Sequence, residues 1–114
     1  MNQLDTLYIL WTTRDGITAE YMLMLYATNA QKKQWFDQVH IIIWGASAKL
    51  IAENKHIQDL ILDAQKAGVI FQGCIHCATS LDVVNILERL NITLLPAGIP
   101  LTEIIKNQKY LITI

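Results

Sequence analysis

Cys74-Ile75-His76-Cys77 carries the densest chemistry in the sequence: two thiols three residues apart, with an imidazole between them. A thiolate, not a thiol, is the attacking species. At pH 7 a cysteine with pKa about 8.5 is only about 3% ionised, whereas one lowered to about 6.5 would be about 75% ionised. The motif falls between an apolar run and a helical pattern. The unpaired N–H groups and positive dipole end of the following helix are therefore expected to lower the thiol pKa, with protonated His76 adding to the effect. Cys74, at the strand end, is the expected nucleophile. Cys77 either resolves a mixed disulfide or packs, and free cysteine is common enough in cores that both thiols could be filling.

The spacing also serves metal sites, but a closed zinc site needs four ligands and a catalytic one normally three. Cys74, His76 and Cys77 would crowd one short turn, no second Cys/His pair exists, and His40 lies inside a predicted strand. No metal and no cofactor is expected. Thioredoxin topology fits poorly, since its motif follows the first strand of the core.

The elements that must position this turn alternate. Leu7–Trp11 and Val39–Trp44 are apolar runs read as buried strands, the first on both faces; Val69-Ile70-Phe71, Thr93-Leu94-Leu95 and Tyr110–Ile114 are three more. Between them, Ala19, Met22, Leu23, Tyr26, Ala27 and Ala30 make one helical stripe, and Ile57, Leu60, Ile61, Ala64 and Ala67 another. Ser47 is a candidate N-cap for a short helix over Ala48–Glu53, Gly68 a left-handed C-cap, and Asn91 a cap for a helix opened by Thr79-Ser80 and buried through Val83, Val84, Leu87 and Leu90. Pro96 stops the fourth strand, and Pro100 suits the start of a helix over Leu101–Lys106. The alternation predicts an α/β fold: a mainly parallel five-stranded sheet covered on both faces.

Ligands bind outside the carboxyl ends of parallel strands. Three turns should gather there: Trp11-Thr12-Thr13, Trp44-Gly45-Ala46-Ser47 and Gly73–Cys77. The candidate substrate-binding residues are accordingly Trp11, Thr12, Arg14, Trp44, Gly45, Ser47 and His76. The tryptophans are core residues or pocket walls. The Gly45 turn caps a helix or offers N–H groups to an anion. Arg14 and Lys49 are the cations near that edge, solvated or, for Arg14, facing a negative charge on sulfur.

At 114 residues the chain reads as one domain over 1–114, and nine Lys+Arg against ten Asp+Glu give a net charge of -1. That balance, without a basic run, excludes a polybasic nucleic-acid surface. No apolar run approaches the ~20 residues of a membrane span, and no signal peptide is recognisable, so a cytoplasmic protein with reduced cysteines is expected. Hydrophobic residues make up 53% and charged residues 17%, which leaves apolar surface for another subunit.

Several segments together resemble the DsrE/DsrF-like family: Trp11-Thr12-Thr13, Ile42 through Leu50 with its WGASAKL turn, Ala67-Gly68-Val69, Gly73 through Ala78 with its C-x-x-C-A turn, and Pro100-Leu101-Thr102-Glu103. The resemblance runs from the first strand to the chain end and looks like the small stand-alone members. It implies a three-layer α/β/α sandwich and a homotrimer or homohexamer. It also implies a cysteine, corresponding to Cys74, that accepts sulfane sulfur as a persulfide and passes it between donor and acceptor proteins. Ala46 stands where similar sequences often have proline, and His76 has no counterpart role. The expected function is a sulfur carrier or sulfurtransferase-like protein. Thiol–disulfide exchange through Cys74 and Cys77, or a non-catalytic oligomeric binding module, are the alternatives.

Overall fold

Thr6–Trp11 forms strand β1, in which Leu7, Ile9 and Trp11 are buried while Tyr8 and Leu10 are half-buried. The computed structural model describes residues 5–114. β2 (Gln38–Ile43), β3 (Ile70–Cys74), β4 (Thr93–Leu95) and β5 (Tyr110–Thr113) join it in a sheet of order β4-β3-β2-β1-β5, with every pairing parallel. Parallel neighbours need long crossovers, and helices supply each one. The first runs through α1 (Gly16–Thr18), a π-helical stretch (Ala19–Met24) and α2 (Leu25–Lys32). The second uses α3 (Ala46–Glu53) and α4 (Lys55–Ala67), the third α5 (Ile75–Ser80) and α6 (Val84–Arg89), and the fourth α7 (Gly98–Lys106).

The strand order explains the layers. Three crossovers step in one direction from β1 to β4, and the fourth returns across the sheet to β5. Right-handed connections then place the first three on one face and, among the described residues, α7 alone on the other. The result is a three-layer α/β/α sandwich of unequal layers. The larger core gathers Leu7, Ile9, Trp11, Val39, Ile41 and Ile43 against the helices of the thick layer. The smaller one consists of Ile42, Cys74, Ala97 and Ile104, with Tyr8, Leu10, Trp44 and Cys77 packed on it. One helix cannot shield five strands. β1 is therefore sealed on one face only, not on both as its unbroken apolar run suggests.

Three local expectations change. The π-helical stretch widens the turn, so Leu23, Met24, Ala27 and Ala30 line the core while Met22 is exposed. α3 begins at Ala46 with Gly45 as its N-cap residue, which puts Ser47 inside the helix. Thr79-Ser80 closes a helix instead of opening one: α5 starts directly after Cys74, and Asp82, at φ 57°, breaks the chain before α6. Gly68 (φ 110°) takes the left-handed conformation expected of it, and Asn91, expected as a cap, is left-handed as well (φ 59°).

Candidate active site

Cys74 is the last residue of β3, and its extended backbone (φ -76°, ψ 118°) leads straight into α5. The sulfur thus sits next to the first turn of α5, and the N–H groups of Cys77 and His76 lower its pKa. A third N–H comes from Ala97, in the turn leaving β4, which is paired with β3 through Cys74 and Leu95. Burial pushes the Cys74 thiol up, since only 6% of the residue is exposed. The Cys77 N–H, the Cys77 side chain and the N–H groups of His76 and Ala97 outweigh it and hold Cys74 below the ordinary thiol value.

Cys77 is half-buried, and its Sγ accepts a hydrogen bond from Gly45 N–H at 3.3 Å. Its pKa lies above the usual thiol value, chiefly from burial and also because its proton bridges to the Cys74 sulfur and the two would repel as anions. Gly45 N–H thus donates to the Cys77 sulfur, which packs on the cluster that holds Cys74. Gly45 adopts φ 70° and ψ -130°, a conformation that side-chain-bearing residues rarely take, and this aims its N–H at Cys77.

A cavity of about 570 Å³ opens beside the pair, lined by Arg14, Gly45, Lys49, His76, Cys77 and Leu81 among others. Cys77 meets this cavity and packs on the cluster that holds Cys74, whereas Cys74 does not line the cavity. The outer sulfur is Cys77, and the inner, buried one, Cys74, carries the lowered pKa. His76 is exposed on the cavity and acts on Cys74 through its N–H; its imidazole does not drive the lowering.

The remaining candidates divide. Arg14 and Gly45 belong to the cavity lining. Trp44 packs on the small cluster that holds Cys74, beside Cys77. Trp11 is completely buried, its Nε1 donating to the Thr13 carbonyl at 3.2 Å, so it is core and no ligand wall. Ser47 is also fully buried: its hydroxyl donates to the Trp11 carbonyl at 2.6 Å and accepts from Trp44 N–H at 3.2 Å. Ser47 therefore staples the ends of β1 and β2 instead of meeting substrate. Thr12 is exposed but turned to the chain end, its N–H and hydroxyl donating to the Ile114 carbonyl at 2.6 and 3.2 Å. Ala97 was not evident from the sequence. Pro96 marks the strand end beside it, but the pairing of β4 with β3 is what brings its N–H to Cys74. Among the described residues no group of three or more His, Cys, Asp or Glu is placed to hold a metal ion.

The solved structure of BT1422 from Bacteroides thetaiotaomicron, a conserved protein of unknown function, matches 96% of this chain and 95% of its own at 39% identity, with a TM-score of 0.95. The chain belongs to the same family as BT1422. No protein-family model matches the chain, and no curated protein matches it. The likeness to BT1422 thus carries the fold and the kinship, and the DsrE/DsrF-like resemblance rests on the segments quoted above. Among the described residues no helix is long and apolar enough to cross a membrane.

Proposed function

We propose that the protein is a cytoplasmic, homo-oligomeric sulfur carrier that holds a persulfide on Cys74. The observation that carries this reading is the place of Cys74, at the end of β3 and directly before α5, where the N–H groups of Cys77, His76 and Ala97 lower its thiol pKa despite burial. Such donors stabilise sulfur as an anion, which is the form needed both to attack and to leave. The Cys74 thiolate attacks the outer sulfur of a donor R–S–SH. A new S–S bond forms at Cys74, the donor's S–S bond breaks, and R–S⁻ departs with its electron pair. An acceptor thiolate then attacks the outer sulfur of the Cys74 persulfide and releases the Cys74 thiolate again. No external oxidant or reductant is consumed. The homotrimer or homohexamer implied by the DsrE/DsrF-like resemblance is part of the proposal, as are donor and acceptor proteins.

Intact-mass measurement after incubation with a persulfide donor tests it. The wild-type chain and Cys77→Ser gain a sulfur atom that an acceptor thiol removes, while Cys74→Ser gains none. No gain on the wild-type chain, or sulfur mapped to Cys77 alone, overturns the reading.

The packing of Cys77 on the cluster that holds Cys74 favours a second reading, thiol–disulfide exchange. Cys74 would attack a substrate disulfide, and Cys77 would displace the bound half to leave an intramolecular disulfide, with the substrate reduced by two electrons. Under that reading Cys77→Ser stops turnover at the mixed disulfide, whereas persulfide carriage survives the change.

A further inference from the structure

The cavity beside Cys77 has a cationic mouth that the cysteine chemistry does not by itself require. Arg14 and Lys49 both line it, and one acidic residue, Glu53, bridges them: Arg14 Nη2 to Glu53 Oε2 and Lys49 Nζ to Glu53 Oε1, each at 3.6 Å. A charge-assisted hydrogen bond closes to about 2.7–2.9 Å, so neither cation is saturated by this carboxylate. Two positive charges face one negative charge, and all three side chains keep much of their surface in solvent. Asp15, beside Arg14 in sequence, is engaged elsewhere, accepting from Ile17 N–H and the Thr18 hydroxyl. The volume of about 570 Å³ exceeds what a single inorganic anion fills. It falls within the ~300–1,000 Å³ of small-molecule sites.

We propose that this cavity binds a low-molecular-weight thiol, of peptide size and bearing carboxylates, as the carrier of the sulfur exchanged at the cysteine pair. Its carboxylate takes the place between Arg14 and Lys49 that the Glu53 side chain loosely holds in the free protein. Its sulfur then lies toward Cys77 and, past it, Cys74. The assignment of the ligand's sulfur chemistry rests on the sulfur-carrier reading; the recognition of its carboxylate rests only on the Arg14–Glu53–Lys49 bridge and the cavity.

Calorimetric titration of the full chain with S-methylglutathione, whose capped sulfur cannot react, separates the two. The free acid binds about tenfold tighter than its dimethyl ester. Arg14→Gln with Lys49→Gln removes that preference. Glu53→Gln strengthens binding of the acid, because it removes the competing carboxylate. Exposed ion pairs contribute little to stability, so these variants fold, which circular dichroism checks. Equal affinity for acid and ester, binding of neither, acid binding unchanged in the double variant, or weaker binding in Glu53→Gln overturns the proposal, whatever sulfur Cys74 accepts. Conversely, carboxylate-dependent binding with no sulfur ever found on Cys74 leaves this site standing and removes the sulfur-carrier reading.

Discussion

Burial raises a thiol's pKa because low-dielectric surroundings penalise the anion, while N–H donors lower it. At Cys74 the donors win, and at Cys77, which has one backbone donor of another residue and an anionic neighbour, burial wins. The two sulfurs of a single motif are thereby pushed apart, the inner one toward thiolate and the outer one toward thiol. Cys77→Ala should expose Cys74: at a pH above the ordinary thiol range, where Cys74 is ionised in both proteins, alkylation of Cys74 runs several-fold faster in the variant. An unchanged rate would mean that access does not run past Cys77. His40 lies on the thin-layered face, its ring 5.4 Å from that of Tyr8, and burial lowers its pKa against the opposing effect of a Gln72 hydrogen bond. The folded state therefore resists protonating it. Its contribution is complete above the unfolded value of about 6.5 and is lost as pH falls through the folded value. Urea midpoints should drop on acidification through this range, and less so in His40→Gln.

Secondary structure sets these atoms in place. Gly45→Ala forces a non-glycine residue to φ 70° and costs about 1–3 kcal/mol in urea unfolding. It also disturbs the N–H bond to Cys77. Ser47→Ala removes the hydroxyl that joins β1 to the β2 turn and costs about 1 kcal/mol, a modest loss because Trp44 N–H still reaches the Trp11 carbonyl at 3.0 Å. The strands were legible because β-branched apolar runs between turn residues admit little else, and Gly68 announced a left-handed cap. The π-helical stretch was not legible: a 3.6-residue stripe through Ala19, Leu23, Ala27 and Ala30 gives no sign of a widened turn, and only Met22 falls off it. The split of α5 from α6 was hidden too, since Asp82 is an ordinary helix residue until its φ is known. At the site, the Cys74–Cys77 motif and the Gly45 turn could be read directly. The fates of Trp11, Ser47 and Ala97 could not, because each depends on which strand ends lie side by side.

On the scale of the molecule, α7 is, among the described residues, the sole helix over one face of a five-stranded sheet, and apolar side chains remain outside. Ile99 is 71% exposed, Tyr110 61% and Ile105 57%, all on or next to α7 and β5. Ile17, Tyr21 and Leu25 form a second exposed set along the first crossover. Apolar surface of this extent on so small a chain supports the proposed self-association. Sedimentation at micromolar concentration should give a discrete species larger than one chain, and Tyr110→Lys or Ile105→Glu should shift it toward monomer. A monomer throughout the concentration range would contradict it.

Everything proposed for the cysteine pair rests on backbone donors that favour the anionic form of the Cys74 sulfur despite its burial. The most direct measurement is the pH dependence of alkylation at each cysteine, followed by peptide mass, because a midpoint reports ionisation whatever the absolute rate. The Cys74 midpoint should lie below the ordinary thiol value and the Cys77 midpoint above it. A Cys74 midpoint at or above the ordinary value would rule out the sulfur chemistry proposed for it.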